Sequence, residues 1–156
     1  MCSPDGFADI NLTGRPRVRL GIADGPHVWL ETPGDVTRVR AADLRQLARQ
    51  VAAVRAEHPS TDIVADIHVV IAEDARAACA ALTECAEPTP SDALLYVGTA
   101  TGLAGLVADL YALGIVDGAM LIPLLGGDAV ELLRSQVLAQ LQILLPGQSD
   151  LQPRPV

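Results

Sequence analysis

Lysine is missing from this sequence altogether. All 11 basic residues of the 156-residue chain are arginines, and 19 acidic residues give it a formal net charge of −8. A Walker A phosphate loop, a kinase-type ATP site and a pyridoxal Schiff base each require a lysine amine. The sequence therefore excludes these three chemistries.

Aromatic side chains are scarce as well, since Phe7, Trp29, Tyr96 and Tyr111 are the whole set. Proteins that stack on exposed bases need more aromatic surface than this. The acidic balance also lacks the positive footprint that nucleic acids and anionic membrane surfaces require. We therefore expect neither a nucleic acid nor a membrane as a partner.

Cysteines and long apolar runs are also few. Cys2, Cys79 and Cys85 are odd in number, and the last two fall on different faces of a predicted helix, which favours reduced thiols over a metal site. The longest apolar run, Ala119–Leu125, is far shorter than the ~20 residues that span a bilayer. The first residues lack the pattern of a secretory signal. These features predict a cytoplasmic protein.

What the sequence does contain is an alternation of strand and helix patterns, typical of an α/β protein with mostly parallel pairing. Asp62–Ala72 is apolar on both faces, as in strands that are buried on both sides. We predict an irregular segment over 1–16, a single α/β domain over 17–145 and a loose tail over 146–156. The predicted strands cover 17–23, 27–31, 62–72, 93–97 and 115–122, the helices about 41–57, 73–85, 101–113 and 128–145, and a linker 87–92.

The segment Gly98–Gly102 has the look of a phosphate-binding turn. Its glycine spacing, G-x-x-x-G-x-x-G, differs from the G-x-G-x-x-G of dinucleotide-binding folds. The pattern therefore favours a turn at Gly98 followed by Thr99 as the cap of the next helix.

Asp66 and His68 share one face of the predicted strand, because side chains repeat every two residues. A carboxylate that orients an imidazole is a general-base arrangement. The alternative is a histidine whose hydrogen bonds are satisfied within the core. Both interpretations stay open at this point.

Acidic residues follow several predicted strands, at the edge where α/β proteins bind ligands. Asp24 follows the first strand, Glu31 closes the second, and Glu73 and Asp74 follow the third. Four such groups at one edge could hold a cationic or hydroxylated ligand, although Glu73 and Asp74 are better explained as caps of a helix. Asp24 and His27, on either side of a Gly-Pro turn, are the stronger candidates.

Three blocks, in order from Asp35 onward, carry a family resemblance. They are Asp62–Asp74 (DIVADIHVVIAED), Tyr96–Thr99 with the amphipathic Leu103–Leu113, and Gly114–Pro123 (GIVDGAMLIP). In this order, and followed by a long helix, they resemble the carboxyl-terminal half of the luciferase-like, flavin-dependent monooxygenases, above all the branch that includes nitrilotriacetate monooxygenase.

This resemblance implies a TIM-type β/α barrel that holds reduced flavin, FMN or the deazaflavin F420, at the carboxyl-end mouth and oxidises a small organic substrate with O2. Such a barrel takes about 250 residues, so the chain has room for only part of one. We therefore expect an α/β fold that is a partial, half TIM-type barrel with about four to five mostly parallel strands.

Departures from the family pattern limit which residues can be transferred. The early strands with the usual catalytic histidine have no counterpart, the loop that helps hold the flavin phosphate is shortened to Ala23–Pro26, and Ala100 replaces a proline. We transfer no catalytic residue. Gly21, Ala23 and Asp24 are the cofactor-binding candidates, because they lie at the carboxyl end of a strand.

The sequence leaves three hypotheses. The first is an oxidoreductase, a reduced-flavin-dependent monooxygenase or a truncated member of that family. The second is a non-catalytic half-barrel that serves as a subunit or binding module and has lost the flavin site, and the third is an unrelated small α/β domain. An open half-barrel leaves strand edges unpaired, so we expect a homo-oligomer or pairing with a complementary chain.

Overall fold

The structure of the chain, a computed structural model, describes residues 17–85, 90–125 and 129–145. Four parts of the predicted organisation lie outside these residues: the segment 1–16, the first half of the linker, the helix start at residue 128 and the tail 146–156. The described elements are β1 (Arg19–Asp24), β2 (His27–Leu30), β3 (Thr37–Val39), α1 (Leu44–Glu57), β4 (Ile63–Ile71), α2 (Ala75–Glu84), β5 (Leu94–Gly98), α3 (Ala100–Ala112), β6 (Gly118–Pro123), α4 (Ala129–Leu132), a π-helical turn (Leu133–Val137) and α5 (Leu138–Leu144).

These strands form one sheet in the order β2-β1-β6-β4-β3, and β5 also pairs with β4. Five strands run parallel, and β2 is antiparallel to β1. The fold is thus α/β, with a curled sheet of mostly parallel strands that forms a partial β/α barrel. This confirms the fold class predicted from the sequence.

The longest strand, β4, organises the sheet. Along one edge it pairs with β6 over Val64–Val69. Along the other edge it pairs first with β3, over Ile63–Ala65, and then with β5, over Ile67–Ile71. The partner on this edge therefore changes at Asp66, in the middle of the strand.

The last strand in the chain, β6, lies in the centre of the sheet between β1 and β4. Its first residue, Gly118, permits this position, because a Cβ there would overlap the backbone carbonyl of Arg19 on β1. The Arg19 amide donates to the carbonyl of Asp117 at 2.8 Å, which fixes the register at this end. A glycine is thus required where β1 and β6 approach most closely.

One side of the sheet, which we call the helical face, packs against α1, α3, the π-helical turn and α5. The residues of β4 that point to it are Ile63, Ala65, Ile67 and Val69, and all are buried. They are covered by fully buried side chains of the helices, including Leu47, Leu103, Leu133 and Leu141. This face holds most of the apolar core.

The alternate residues of the same strands form the other side, which we call the polar face: Gly21, Ala23, Val64, Asp66, His68, Met120 and Ile122. Its apolar part is small. Ala23, Val64 and Met120 are buried together, with Leu30 and Val36 packed against them. The rest of the face carries charged and titratable groups.

The structure differs from the predicted elements at several places. The predicted helix 128–145 is interrupted by the π-helical turn Leu133–Val137. The short strand β3 was not predicted, because three residues carry too little periodicity to be recognised. Helix α1 begins at Leu44 rather than near 41, because the Asp43 side chain caps it by accepting from the amide of Gln46 at 2.8 Å. Strand β6 begins at Gly118 rather than 115, because Gly114, with a φ of 77°, turns the chain at the end of α3.

Candidate functional site

Polar side chains gather on the polar face where β4 changes partner. Asp66 and His68 project from β4, and Arg38 projects from β3 on the same face, since Arg38 is in register with Val64. Arg40 follows one residue after the end of β3, and Asp92 precedes β5. The break between β3 and β5 is thus surrounded by two arginines, two aspartates and a histidine.

Asp66 is held by Arg38 through two hydrogen bonds. The guanidinium donates from Nε to Oδ1 at 2.8 Å and from a terminal nitrogen to Oδ2 at 3.1 Å. Bidentate pairing of this kind fixes the carboxylate in position. No hydrogen bond joins this carboxylate to either ring nitrogen of His68, so the predicted Asp66–His68 general-base pair is wrong.

His68 is 8% exposed, and neither Nδ1 nor Nε2 has a hydrogen-bond partner among the residues that the structure describes. The predicted alternative, a satisfied core histidine, is therefore also wrong. The ring is flanked by Ile122 on β6 and Leu95 on β5, which are in register with it. Burial of the imidazole lowers its pKa, the positive charge of Arg40 lowers it further, and Asp66 and Asp92 oppose this effect. The lowered pKa favours the neutral ring at neutral pH, with one nitrogen as donor and the other as acceptor.

Arg40 and Asp92 form the outer, more exposed pair of the site. A guanidinium nitrogen of Arg40 donates to Asp92 Oδ1 at 3.0 Å, and both side chains are exposed. This hydrogen bond lowers the pKa of Asp92 and raises that of Arg40. A water-exposed ion pair of this kind exchanges readily and contributes little to stability.

Two of the three predicted cofactor-binding residues, Gly21 and Ala23, lie on this same polar face. Gly21 is in register with Met120, which in turn is in register with Asp66, so the three form a row across the sheet. A Cβ on Gly21 would come within 2.9 Å of the side chains of Met120 and Leu30, so flexible side chains fill the space above it. Ala23 belongs to the same apolar cluster.

The third candidate, Asp24, lies elsewhere. It is exposed at the end of β1 and faces His27 across a two-residue turn, in which Gly25 has a φ of 62°. The left-handed backbone of Gly25 explains the turn that brings Asp24 and His27 opposite each other. Their role in a ligand site stays a prediction. No described contact joins this hairpin turn to the polar cluster.

The predicted group of four acidic residues at one edge does not form. Because β2 is antiparallel, Glu31 lies at the amino end of the sheet, where it pairs with Arg17 at 3.7 Å. Asp74 caps α2 by accepting from the amide of Ala77 at 2.8 Å, as the capping interpretation predicted. A ligand site built from these carboxylates is therefore excluded.

The glycines of the segment Gly98–Gly102 serve the packing of Tyr96. The Tyr96 hydroxyl donates to the carbonyl of Thr99 at 3.0 Å, and a Cβ on either glycine would collide with the ring or its hydroxyl. Thr99 caps α3 by accepting from the amide of Gly102 at 3.1 Å. This confirms the prediction of a turn and helix cap.

A second group of buried charges, at the amino end of the strands, holds loops in place. Arg19 donates to Asp62 at 2.6 Å and to the carbonyls of Thr32 and Gly34 at 3.0 and 2.8 Å. Asp117 accepts from the amide of Ile63 at 2.8 Å. These bonds go to backbone or to opposite charge and have a structural role.

Within the described ranges, no group of three or more His, Cys, Asp or Glu side chains could hold a metal ion. Neither Cys79 nor Cys85 forms a disulfide bond within these ranges. In this same part of the chain, no helix is both long and apolar enough to cross a membrane.

Three members of the site, Arg38, Arg40 and Asp92, were not singled out from the sequence. The alternation of arginines with apolar residues in Val36–Ala41 (VTRVRA) was the signal that could have found two of them, since it places both on one face of a strand. Asp92 carried no such signal. No model of a known protein family matches the chain, and no curated protein sequence matches it.

Proposed function

We propose that this chain is a luciferase-like oxidoreductase of half-barrel form, which binds reduced flavin and takes part in the oxidation of a small organic substrate with O2. The reaction class comes from the three sequence blocks that resemble the luciferase-like monooxygenases. The fold agrees with this proposal, since the sheet is a partial β/α barrel. When bound, the flavin would supply the redox chemistry, and the protein would supply a surface that orients it and excludes water.

One observation carries the proposal: among the described residues, the polar face contains a buried imidazole whose two nitrogens have no partner, and the same face carries the small residues Gly21 and Ala23 on β1, across β6 from it. Buried polar groups are nearly always hydrogen-bonded, so an orphaned ring points to a ligand. Gly21 and Ala23 would lie beneath a flat, largely apolar ring. Met120, the long side chain above Gly21, is of the type that adapts most easily to a new neighbour.

A fluorescence titration of FMN and of F420 with the purified protein tests the proposal. We expect one of them to be quenched at micromolar protein concentration. In Gly21→Ala, the new Cβ displaces the Met120 and Leu30 side chains towards the space that the flavin ring would occupy, so flavin affinity falls by roughly tenfold. Gly105→Ala is the matched control, because no atom lies within 4 Å of the added Cβ on α3, and it leaves affinity unchanged.

Absence of quenching with both flavins would contradict the oxidoreductase and favour the second candidate, a non-catalytic half-barrel that acts as a subunit or binding module. A specific observation supports this candidate too. Asp66 is occupied by Arg38, so the described residues of the polar face offer no carboxylate–imidazole pair for acid–base chemistry.

We also propose that the chain associates with a second copy or with a complementary chain. Among the described strands, β2 pairs only with β1, and its residue Val28 is 53% exposed. An open strand edge of this kind is a template for pairing with another strand. Native mass spectrometry of the full chain tests this, and a strictly monomeric protein at high micromolar concentration would contradict it.

A further inference from the structure

His68 is the least explained group in the described structure. Its ring is buried on the polar face, yet neither nitrogen is hydrogen-bonded to any residue that the structure describes. Leaving a buried donor and a buried acceptor unpaired is unfavourable, and packing does not require it, since an apolar residue of similar shape would fill the space. A ligand that offers an acceptor to the imidazole N–H would relieve part of this cost.

Arg40 supplies a cation beside this ring. Val39 is in register with Ala65. Arg40, the next residue, is therefore on the polar face, as His68 is, and about level with Asp66 along β4. Its described partner, the Asp92 side chain, is 73% exposed. A ligand can therefore take the place of Asp92 at little cost, because an exposed carboxylate regains its hydration when the pair opens.

Arg38, in contrast, is not available. Both of its bonds go to the Asp66 carboxylate, whose side chain is only 8% exposed. Releasing Arg38 would leave Asp66 as an uncompensated buried charge, which is costly. The positive charge that the site can offer a ligand is therefore a single one, that of Arg40.

The balance of charges in the site determines which charge its ligand should carry. Arg38 balances Asp66, Arg40 balances Asp92, and the imidazole is neutral. A monoanion that replaces Asp92 on Arg40 keeps this balance, whereas a dianion such as phosphate leaves a negative charge uncompensated close to Asp66. Leu95 and Ile122 flank the ring, so the ligand meets apolar surface next to its charged end.

We propose that His68 and Arg40 form a binding site for a small monocarboxylate with an apolar body. The ligand carboxylate accepts from the Arg40 guanidinium and from the imidazole N–H, and the apolar body lies against Leu95. This inference rests on the proposed function in one respect, in that the ligand would be the organic substrate. Its binding, however, requires no flavin.

The first experiment uses the full chain without flavin and three probes: benzoate, its neutral analogue benzamide, and inorganic phosphate. Binding is followed by NMR of the ring nitrogens of His68. We expect benzoate to bind and to shift one ring nitrogen, since a charge-assisted hydrogen bond forms there. Benzamide binds at least roughly tenfold more weakly, because it lacks the charge that Arg40 recognises. At pH 8, where inorganic phosphate is mainly the dianion, phosphate does not compete.

Variants then separate a binding role from a structural one. Arg40→Gln weakens benzoate binding by roughly tenfold, and the matched control Arg45→Gln, on the exposed side of α1, leaves it unchanged. Asp92→Asn tightens binding by about threefold, because the carboxylate that competes for Arg40 is gone. A merely structural role for this ion pair does not predict tighter binding.

Three results would overturn the inference: no benzoate binding by the natural sequence and by Asp92→Asn, equal binding of benzoate and benzamide, or phosphate binding tighter than benzoate. These results are independent of the flavin titration. If the chain binds benzoate but no flavin, the carboxylate site is supported and the oxidoreductase proposal is contradicted. If it binds flavin but not benzoate, the oxidoreductase proposal is supported and the carboxylate site is contradicted.

Discussion

The two faces of the sheet are built from alternate residues of the same strands, yet they differ in kind. On β4, Ile63, Ala65 and Ile67 belong to a continuous apolar core. Asp66 and His68, which alternate with them, lie on the polar face, where the apolar cluster is small and charged groups are near. Both faces are buried. The difference shows that burial alone does not identify the part of the molecule that secures the fold, because one face is apolar throughout and the other keeps polar groups that packing does not require.

The largest difference between the faces is expected from truncating one core residue on each. Leu103 on α3 is fully buried in the helical face, and Met120 on β6 is almost as buried in the polar face. We expect Leu103→Ala to lower the free energy of unfolding by about 4 kcal/mol and Met120→Ala by about 2 kcal/mol, since the flexible neighbours of Met120 can close the space that it leaves. Urea denaturation at neutral pH measures both. Equal losses would mean that the polar face contributes as much to the core as the helical face.

A second comparison concerns the buried aspartates of the two groups of charges. Asp117 holds the amide of Ile63 as well as Arg55, whereas Asp66 holds only Arg38, which is partly exposed. We expect Asp117→Ala to cost about 2 kcal/mol, because a buried N–H loses its partner. Asp66→Ala costs about 1 kcal/mol, because Arg38 turns to water.

The same urea measurements decide between these values. Should Asp66→Ala prove the more damaging of the two, the Arg38–Asp66 pair secures the junction of β3, β4 and β5. The polar face would then have a structural role in place of a binding one. Asp43→Ala, which removes an exposed cap of α1, is a reference for the loss of a single local bond.

The sequence predicted the fold class because long, continuous signals determine it. The run Asp62–Ala72 and the periodic helices are local patterns, and so are the caps Asp74 and Thr99. The central position of β6 was not predictable in this way, since it depends on the contact of Gly118 with Arg19, which are far apart in the chain. Local periodicity carries no information about which strand lies beside which.

The candidate site was predictable only in part, for a related reason. The strand period placed Asp66 and His68 on one face correctly, but it could not show that Asp66 already had a partner. That partner, Arg38, belongs to a three-residue strand, and the short alternation around it does not show which strand it pairs with. Carboxylate and imidazole therefore looked like a pair, and the tertiary contact with β3 separates them.

The smallest effect, and the one most specific to the polar face, is the dependence of stability on the protonation of His68. Burial and the charge of Arg40 lower the pKa of the ring from its ordinary value of 6.5. As the pH falls below about 6.5, the unfolded chain binds a proton that the folded chain resists, so the folded state loses stability with falling pH. In His68→Phe this contribution is absent, and no buried nitrogen is left unpaired.

We therefore expect His68→Phe to be at least as stable as the natural sequence at pH 8, and to lose less stability between pH 7.5 and pH 5.5. The slope removed is at most about 1.4 kcal/mol per pH unit, the limit for a single proton. Urea midpoints at several pH values measure it, with His27→Gln at the exposed hairpin as the control.

A marked loss of stability at pH 8 would show that the imidazole does have partners, and the polar face would then be a second, satisfied core like the helical one. An unchanged or raised midpoint instead shows that the fold tolerates this histidine without depending on it, which is the property that a residue reserved for a ligand should have.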